Sequence, residues 1–308
     1  MGNLTVSTSP HIRSSVTTQS IMRDVLIALA PATVGAVVLF GLRALLLIAV
    51  STLTCVLGEF LFNLICKKQQ TVGDLSAAVT GVILALNLPT TTTVWQMIVG
   101  ALFAIIVVKC FFGGIGCNFA NPAATARVFL VIAFAEIGAQ VPTVFADLVA
   151  GATPLGNLAT GVEPPSLLDM FLGNRGGAMG ETCAIAILIG FAYLIIRRII
   201  AWQVPVTFVL TVFVLSWIFT GDLTLALYYV LSGGLLFAAV FMATDYVTTP
   251  IRTSGRIVFA LGCGIITVLI RFFGTYPEGV SFAILLMNIL SPYIDKLVAK
   301  VPFGGKRK

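Results

Sequence analysis

Charge is what this sequence lacks most. Of its 308 residues only 10% are Asp, Glu, Lys or Arg, where a soluble domain carries about 25% to cover its surface. With 58% hydrophobic residues and a mean hydropathy of +1.06, the deficit excludes an ordinary water-soluble globule. Histidine is nearly absent too. The single one, His11, lies in a polar N-terminal stretch and reads as a solvated residue rather than a ligand. Six cysteines are present (Cys55, Cys66, Cys110, Cys117, Cys183, Cys263), none in a C-x-x-C pair and most inside apolar runs. They read as packing residues rather than metal ligands or disulfide partners, with Cys110 and Cys117, which flank a Gly-rich stretch, the nearest to an exception. No GxGxxG fingerprint and no iron–sulfur cysteine motif occurs, so nucleotide and cluster chemistry must sit on other chains. No cleavable signal peptide is visible: Arg23 and Asp24 bound the first apolar run without a small-residue cleavage site.

What is present is a series of apolar runs. A helix needs about 20 apolar residues to span a bilayer, and ten runs qualify: 25–41, 44–65, 72–89, 94–112, 122–138, 181–197, 201–220, 223–243, 257–273 and 279–295. The formal charge of +6 does not point to nucleic acid, because the basic residues stand at the ends of these runs. With the N-terminus in the cytoplasm, fifteen Lys and Arg fall on the cytoplasmic side, Lys109 and Arg127 among them. Three, Arg43, Arg175 and Arg271, fall outside. That bias is the one the positive-inside rule predicts. The expected fold is an all-α integral membrane protein of about ten transmembrane helices in an inner membrane, both termini cytoplasmic. The expected organisation is a tail over 1–23, a five-helix half over 24–138, an extracytoplasmic loop over 139–180, a second half over 181–295 and a basic tail over 296–308.

Five helices per half would invert the second half relative to the first, the layout of inverted-repeat transporters with broken helices at the repeat interface. Two Gly/Pro-interrupted segments fit such breaks: Gly113 to Pro122 and Thr244 to Pro250. A carboxylate inside a bilayer costs on the order of 2.5–3.5 kcal/mol or more, so its retention points to function. Glu59, deep in the second run, and Asp245, in the second interrupted segment, are candidates for cation or proton handling. Asp24, Asp74 and Asp295 lie near run ends and read as solvated helix-end charges. Trp95, Trp202 and Trp217 read as interfacial anchors.

One stretch of the long loop carries a different signal. In Asp147-Leu148-Val149-Ala150-Gly151-Ala152-Thr153, Gly151 and Ala152 clear space beside a threonine hydroxyl, which can then accept a phosphate-linked group; an ordinary Gly/Pro turn explains the same residues. The stretch is similar to the flavinylation motif D-x-x-[S/T/A]-G-A-[S/T]. Four further blocks in order, Gly73–Pro89, Lys109–Pro122, Ala243–Pro250 and Tyr276–Ala283, resemble the signatures of the NqrB/RnfD family. The short N-terminus resembles the D-subunit branch, found in Rnf-type ferredoxin:NAD oxidoreductase complexes, more than the B-subunit branch with its longer extension.

The resemblance implies a membrane-embedded electron-transfer subunit of an ion-translocating oxidoreductase, with no complete catalytic site of its own. It implies FMN joined by a phosphoester to Thr153, with Asp147, Gly151 and Ala152 as motif residues, attached by a separate flavin transferase outside the membrane. It also implies a non-covalent riboflavin among the helices, placed here near Asn118 and Asn121. Their i, i+3 spacing would put both amides on one helical face, although Asn121 could equally cap the helix starting at Pro122. The other subunits of the complex and the lipid bilayer are the expected partners. A non-redox channel or secondary transporter with the same inverted layout is the competing reading.

Overall fold

The computed structural model describes residues 16–134, 137, 141–142, 150–151, 154–160, 164–274 and 278–299. Asp147, Ala152 and Thr153 lie outside the described residues. Each of the ten apolar runs holds helix.

The first half opens with α1 (Thr18–Phe40) and α2 (Leu42–Ile65). Helix α1 starts inside the stretch read as a tail because Thr17 and Ser20 form a reciprocal cap, each side chain bonded to the other's backbone N–H. Helix α3 (Ser76–Leu86) is short. Helix α4 (Val94–Leu102) runs on as a π-helix from Phe103 to Cys110, and α5 (Pro122–Ala133) closes the half. Strands β1 (Val141–Pro142) and β2 (Ala150–Gly151) pair antiparallel, Val141 opposite Gly151. Two short helices follow, α6 (Pro154–Thr160) and α7 (Leu167–Leu172). The second half comprises α8 (Ala184–Ile196), α9 (Gln203–Thr220), α10 (Leu223–Leu231), α11 (Leu235–Phe241), α12 (Thr253–Phe273) and α13 (Val280–Leu297).

Among the described residues five helices, α1, α2, α9, α12 and α13, are long and apolar enough to cross a membrane. The α10–α11 pair makes a sixth if counted as one span bent by 54°. Helices α3, α4 with its π extension, α5 and α8 are shorter but also apolar. The outer faces confirm the solvent. Leu53, Leu57, Leu61 and Leu64 line one exposed side of α2, and Val258, Leu261, Ile265 and Leu269 one side of α12. Apolar stripes of that length would not be left facing water. This is a multi-pass membrane protein.

Lipid gives helices no hydrophobic reason to associate, so close packing of small residues must hold them together. A Cβ on Gly81 of α3 would stand 2.7 Å from the Thr52 Cα of α2. A Cβ on Gly190 of α8 would overlap the Ala28 carbonyl of α1. Gly264 of α12 meets Thr211 of α9 in the same manner.

The two interrupted segments are irregular as expected, over residues 111–121 and 242–252, and two further breaks fall inside runs that the sequence pattern reads as continuous. The 72–89 run is helical only to Leu86, and the 223–243 run breaks at Ser232-Gly233-Gly234, where both glycines take positive φ (67° and 66°). A short helix ending inside a membrane exposes carbonyls that lipid cannot satisfy. Here the Gly180 N–H donates to the Leu86 carbonyl at 2.7 Å and the Met179 N–H to Leu88 at 3.1 Å. At the other break Arg271 donates to the carbonyls of Tyr229, Ser232 (3.0 Å) and Gly233 (3.3 Å).

Candidate functional site

Between the two halves lies a cavity of about 440 Å³. Its walls are mostly apolar, from Ile21, Met22 and Val25 of α1 through Val79 and Ile83 of α3 to Leu194 and Phe241. Its polar groups are few: Thr18, Ser76, Thr80, Lys109, Asn118, Asn121, Thr244, Asp245 and Tyr246. A mainly apolar hollow with a handful of placed polar groups is the usual form of a cofactor or small-molecule site.

Three sequence candidates, Asn118, Asn121 and Asp245, thus meet at one cavity. They do not meet as expected. Residues 111–121 form turns rather than helix, so the two asparagines share a wall of the cavity but not a helical face. Asn121 is the N-cap of α5: its Oδ1 accepts from the Ala124 N–H at 3.1 Å, and its Nδ2 donates to the Met242 carbonyl at 3.2 Å. Its amide fastens α5 to the end of α11. Asn118, 9% exposed, donates to the Ala120 carbonyl at 3.0 Å. Asp245 stands between α11 and α12, outside both, and is half-buried. Its carboxylate accepts from the Val247 N–H (3.4 Å) and the Thr248 hydroxyl (3.2 Å).

Glu59 is buried as expected but it is not alone. Lys109, which the charge pattern assigns to the surface, is 3% exposed and donates to Glu59 Oε2 at 2.9 Å and to Ser76 Oγ at 2.6 Å. Thr71 donates to the other Glu59 oxygen at 2.6 Å, and Asn63 to Thr71 at 3.0 Å. Ser76 in turn donates to Asp74, which is therefore part of the cluster and not a free helix-end charge. The signal in the sequence is depth: Lys109 comes sixteenth in a nineteen-residue apolar run. The π-helix adds one residue to a turn there, a distortion that recurs at functional sites.

A second buried cluster has no counterpart in the sequence reading. Arg127, also counted as a surface cation, is 5% exposed; it pairs with Glu278 and donates to Asn87 Oδ1 at 3.0 Å. Arg175, 5% exposed, donates to the Glu181 carbonyl at 2.6 Å. Lys109 and Arg127 therefore drop out of the positive-inside count, but Arg175 is buried as well and the bias keeps its sign. Asp24 is corrected likewise: it is 6% exposed and accepts from Arg197 (3.0 Å) and the Tyr193 hydroxyl (3.1 Å). Asp295 accepts from the Ile251 N–H at 3.2 Å, which ties the segment before α12 to α13. Among the described residues all six cysteines are free, Cys110 and Cys117 included.

Of the threonine motif the structure describes only Ala150 and Gly151, whose backbone pairs with β1.

Residues 5–304 match the family described as NQR2, RnfD, RnfE. The chain is 44% identical to the D subunit of the Na⁺-translocating ferredoxin:NAD⁺ oxidoreductase complex of Acetobacterium woodii, covering 98% of this chain and 96% of the relative. It is 38% identical to the D subunit of the proton-translocating ferredoxin:NAD⁺ oxidoreductase complex of Clostridium ljungdahlii, over 98% and 97% of the two chains. With the D subunit of the ion-translocating oxidoreductase complex of Methanosarcina acetivorans the identity is 34%, over 99% of each.

Proposed function

Since the chain belongs to the NQR2, RnfD, RnfE family, we propose that it is the membrane-embedded D subunit of an ion-translocating ferredoxin:NAD⁺ oxidoreductase. In this reading it passes electrons between partner subunits through FMN on Thr153 and a non-covalent riboflavin. The observation that carries the redox reading is the cavity. Its volume of about 440 Å³ falls in the range of cofactor sites, roughly 300–1,000 Å³. Its apolar walls suit a planar ring system, and Asn118, Lys109 and Asp245 offer a donor amide, a cation and an anion to the ring's polar edge. When bound, the flavin supplies the electron chemistry; this chain positions it and sets its surroundings. The Asn121 link to Met242 ties the α5 and α11 sides of the cavity together.

The proposal includes topology. The ten apolar helices form ten spans in two inverted halves, both termini cytoplasmic and the Thr153 loop outside, where a flavin transferase has access. Two features support it. The breaks at Leu86 and at Ser232–Gly234 fall in the third apolar run of each half. The lysine and arginine bias gives the orientation. Glu59 and Asp245 are proposed for cation handling. The ion is left open by the relatives themselves, since one is named for Na⁺ and another for the proton.

A non-redox solute channel is the second reading, favoured by the bent α10–α11 pair beside the cavity. Intact mass of the chain, co-expressed with a flavin transferase, separates the two. The electron-transfer reading expects a mass gain of FMN less one water in the wild type, lost together with in-gel flavin fluorescence in Thr153→Ala. An unmodified wild-type chain from cells with an active transferase sinks the Thr153 assignment and leaves the channel reading in front.

A further inference from the structure

Lys109 belongs to two places at once. Its ammonium is bonded to Glu59 Oε2 (2.9 Å) and Ser76 Oγ (2.6 Å), yet Lys109 and Ser76 are both part of the cavity wall. Two carboxylates reach this one cation, Glu59 directly and Asp74 through Ser76. Arg127, the other buried cation on the first half's helices, is committed to Glu278 and Asn87. A charge appearing in the cavity would therefore find Lys109 as its nearest mobile partner, held on a flexible four-carbon stem. In a low-dielectric interior an ammonium near a new anion gains far more than it would in water.

We propose that Lys109 is a movable counter-ion, shared between Glu59 and the ligand of the cavity. When that ligand gains negative charge, the ammonium turns from the carboxylate to the ligand. The proposal rests on the flavin reading, which supplies such a ligand. One electron from a reduced iron–sulfur donor on a partner subunit, taken up without a proton, leaves the donor oxidised and one added negative charge on the ring. The hydrogen bond from Lys109 Nζ to Glu59 Oε2 then breaks and one to the ring forms, with no proton transferred. Glu59 keeps its bond from Thr71 and is left as an uncompensated carboxylate. Lys109 is thus a positioning residue that links the charge in the cavity to the charge state around Glu59.

The test uses the purified complex and reads the midpoint potential of the non-covalent flavin by spectroelectrochemistry, with the covalent FMN as internal control. Breaking the pair on one side alone can unfold the chain, so the neutral double variant Glu59→Gln/Lys109→Met is used beside Glu59→Gln and Lys109→Arg. The double variant should shift the potential down, and Glu59→Gln, which frees the ammonium, should shift it up. Lys109→Arg should stay near wild type, and the FMN should not move in any of them. If a cavity without the ammonium cannot hold the flavin at all, its loss in the double variant with retention in Lys109→Arg supports the proposal. Unshifted potentials, shifts of one sign in both variants, or loss in Lys109→Arg as well would overturn it. A wild-type complex with no non-covalent flavin overturns the flavin reading itself, an outcome distinct from flavin present but indifferent to Lys109.

Discussion

The Ser51 hydroxyl of α2 donates to the Gly81 carbonyl of α3 at 2.8 Å, and the helices come this close because Gly81 has no side chain. A Cβ there would lie 2.7 Å from the Thr52 Cα. The obstacle is backbone, so it cannot swing aside. Gly81→Ala should destabilise the protein by about 1–3 kcal/mol, the range for overpacking, and weaken the Ser51 bond with it. Thermal unfolding of the detergent-solubilised protein, compared with Gly73→Ala at an open position, measures the difference; equal midpoints would refute the packing argument.

The Glu59–Lys109 pair is 1% and 3% exposed at its side chains. Removing one partner of such a pair strands a charge and costs about 3–5 kcal/mol, whereas replacing both by neutral groups of similar volume is often near neutral. Lys109→Met alone should therefore lower the yield of folded protein sharply, and Glu59→Gln/Lys109→Met should restore most of it. Size-exclusion monodispersity and denaturant titration report both.

Arg271 serves as the cap for a helix end that lipid leaves bare, reaching the carbonyls of Tyr229, Ser232 and Gly233 while Nε donates to the Glu278 carbonyl at 3.1 Å. Lysine has the charge but not the fork. Arg271→Lys should cost about 1–3 kcal/mol per carbonyl left unpaired, and amide exchange over residues 228–236 should accelerate selectively.

Asn121 separates two roles cleanly. As an N-cap it contributes about 1 kcal/mol, and a serine can do the same work. Asn121→Ser should retain the α5 cap while losing the bond to Met242, and Asn121→Ala should lose both. If the amide also touches a cavity ligand, both variants lose non-covalent flavin. If it acts only as a cap and clasp, flavin content follows stability, with Asn121→Ala the worse of the two.

The helices are legible because each is written locally, in twenty or so apolar residues. What lies between them is less so. Ser232-Gly233-Gly234 marks the bend in the 223–243 run, but glycine is common in membrane helices and the pattern reads as continuous. Lys109 and Arg127 are misplaced by the charge pattern for a single reason. Counting cations assigns each to the nearer end of its run, and only the packed structure shows that Glu59 of α2 and Glu278, just before α13, stand against them. The cavity residues Asn118 and Asp245 stand out through the irregular segments around them, since irregular backbone at membrane depth must line a cavity or bury itself in protein.

The stitches from Gly180 to Leu86 and from Met179 to Leu88 have a bearing on how the chain is made. The acceptors lie at residues 86 and 88, the donors some ninety residues later. The carbonyls of Ile83, Leu84 and Ala85 are met locally by Asn87 and Leu88, but those of Leu86 and Leu88 wait for donors that do not exist until synthesis has reached residues 179 and 180. A ribosome stalled within residues 139–170 should therefore leave a nascent chain whose third helix is unsettled in lipid and open to quality-control proteases. At these two carbonyls the completion of the first half is deferred to the arrival of the chain that leads into the second.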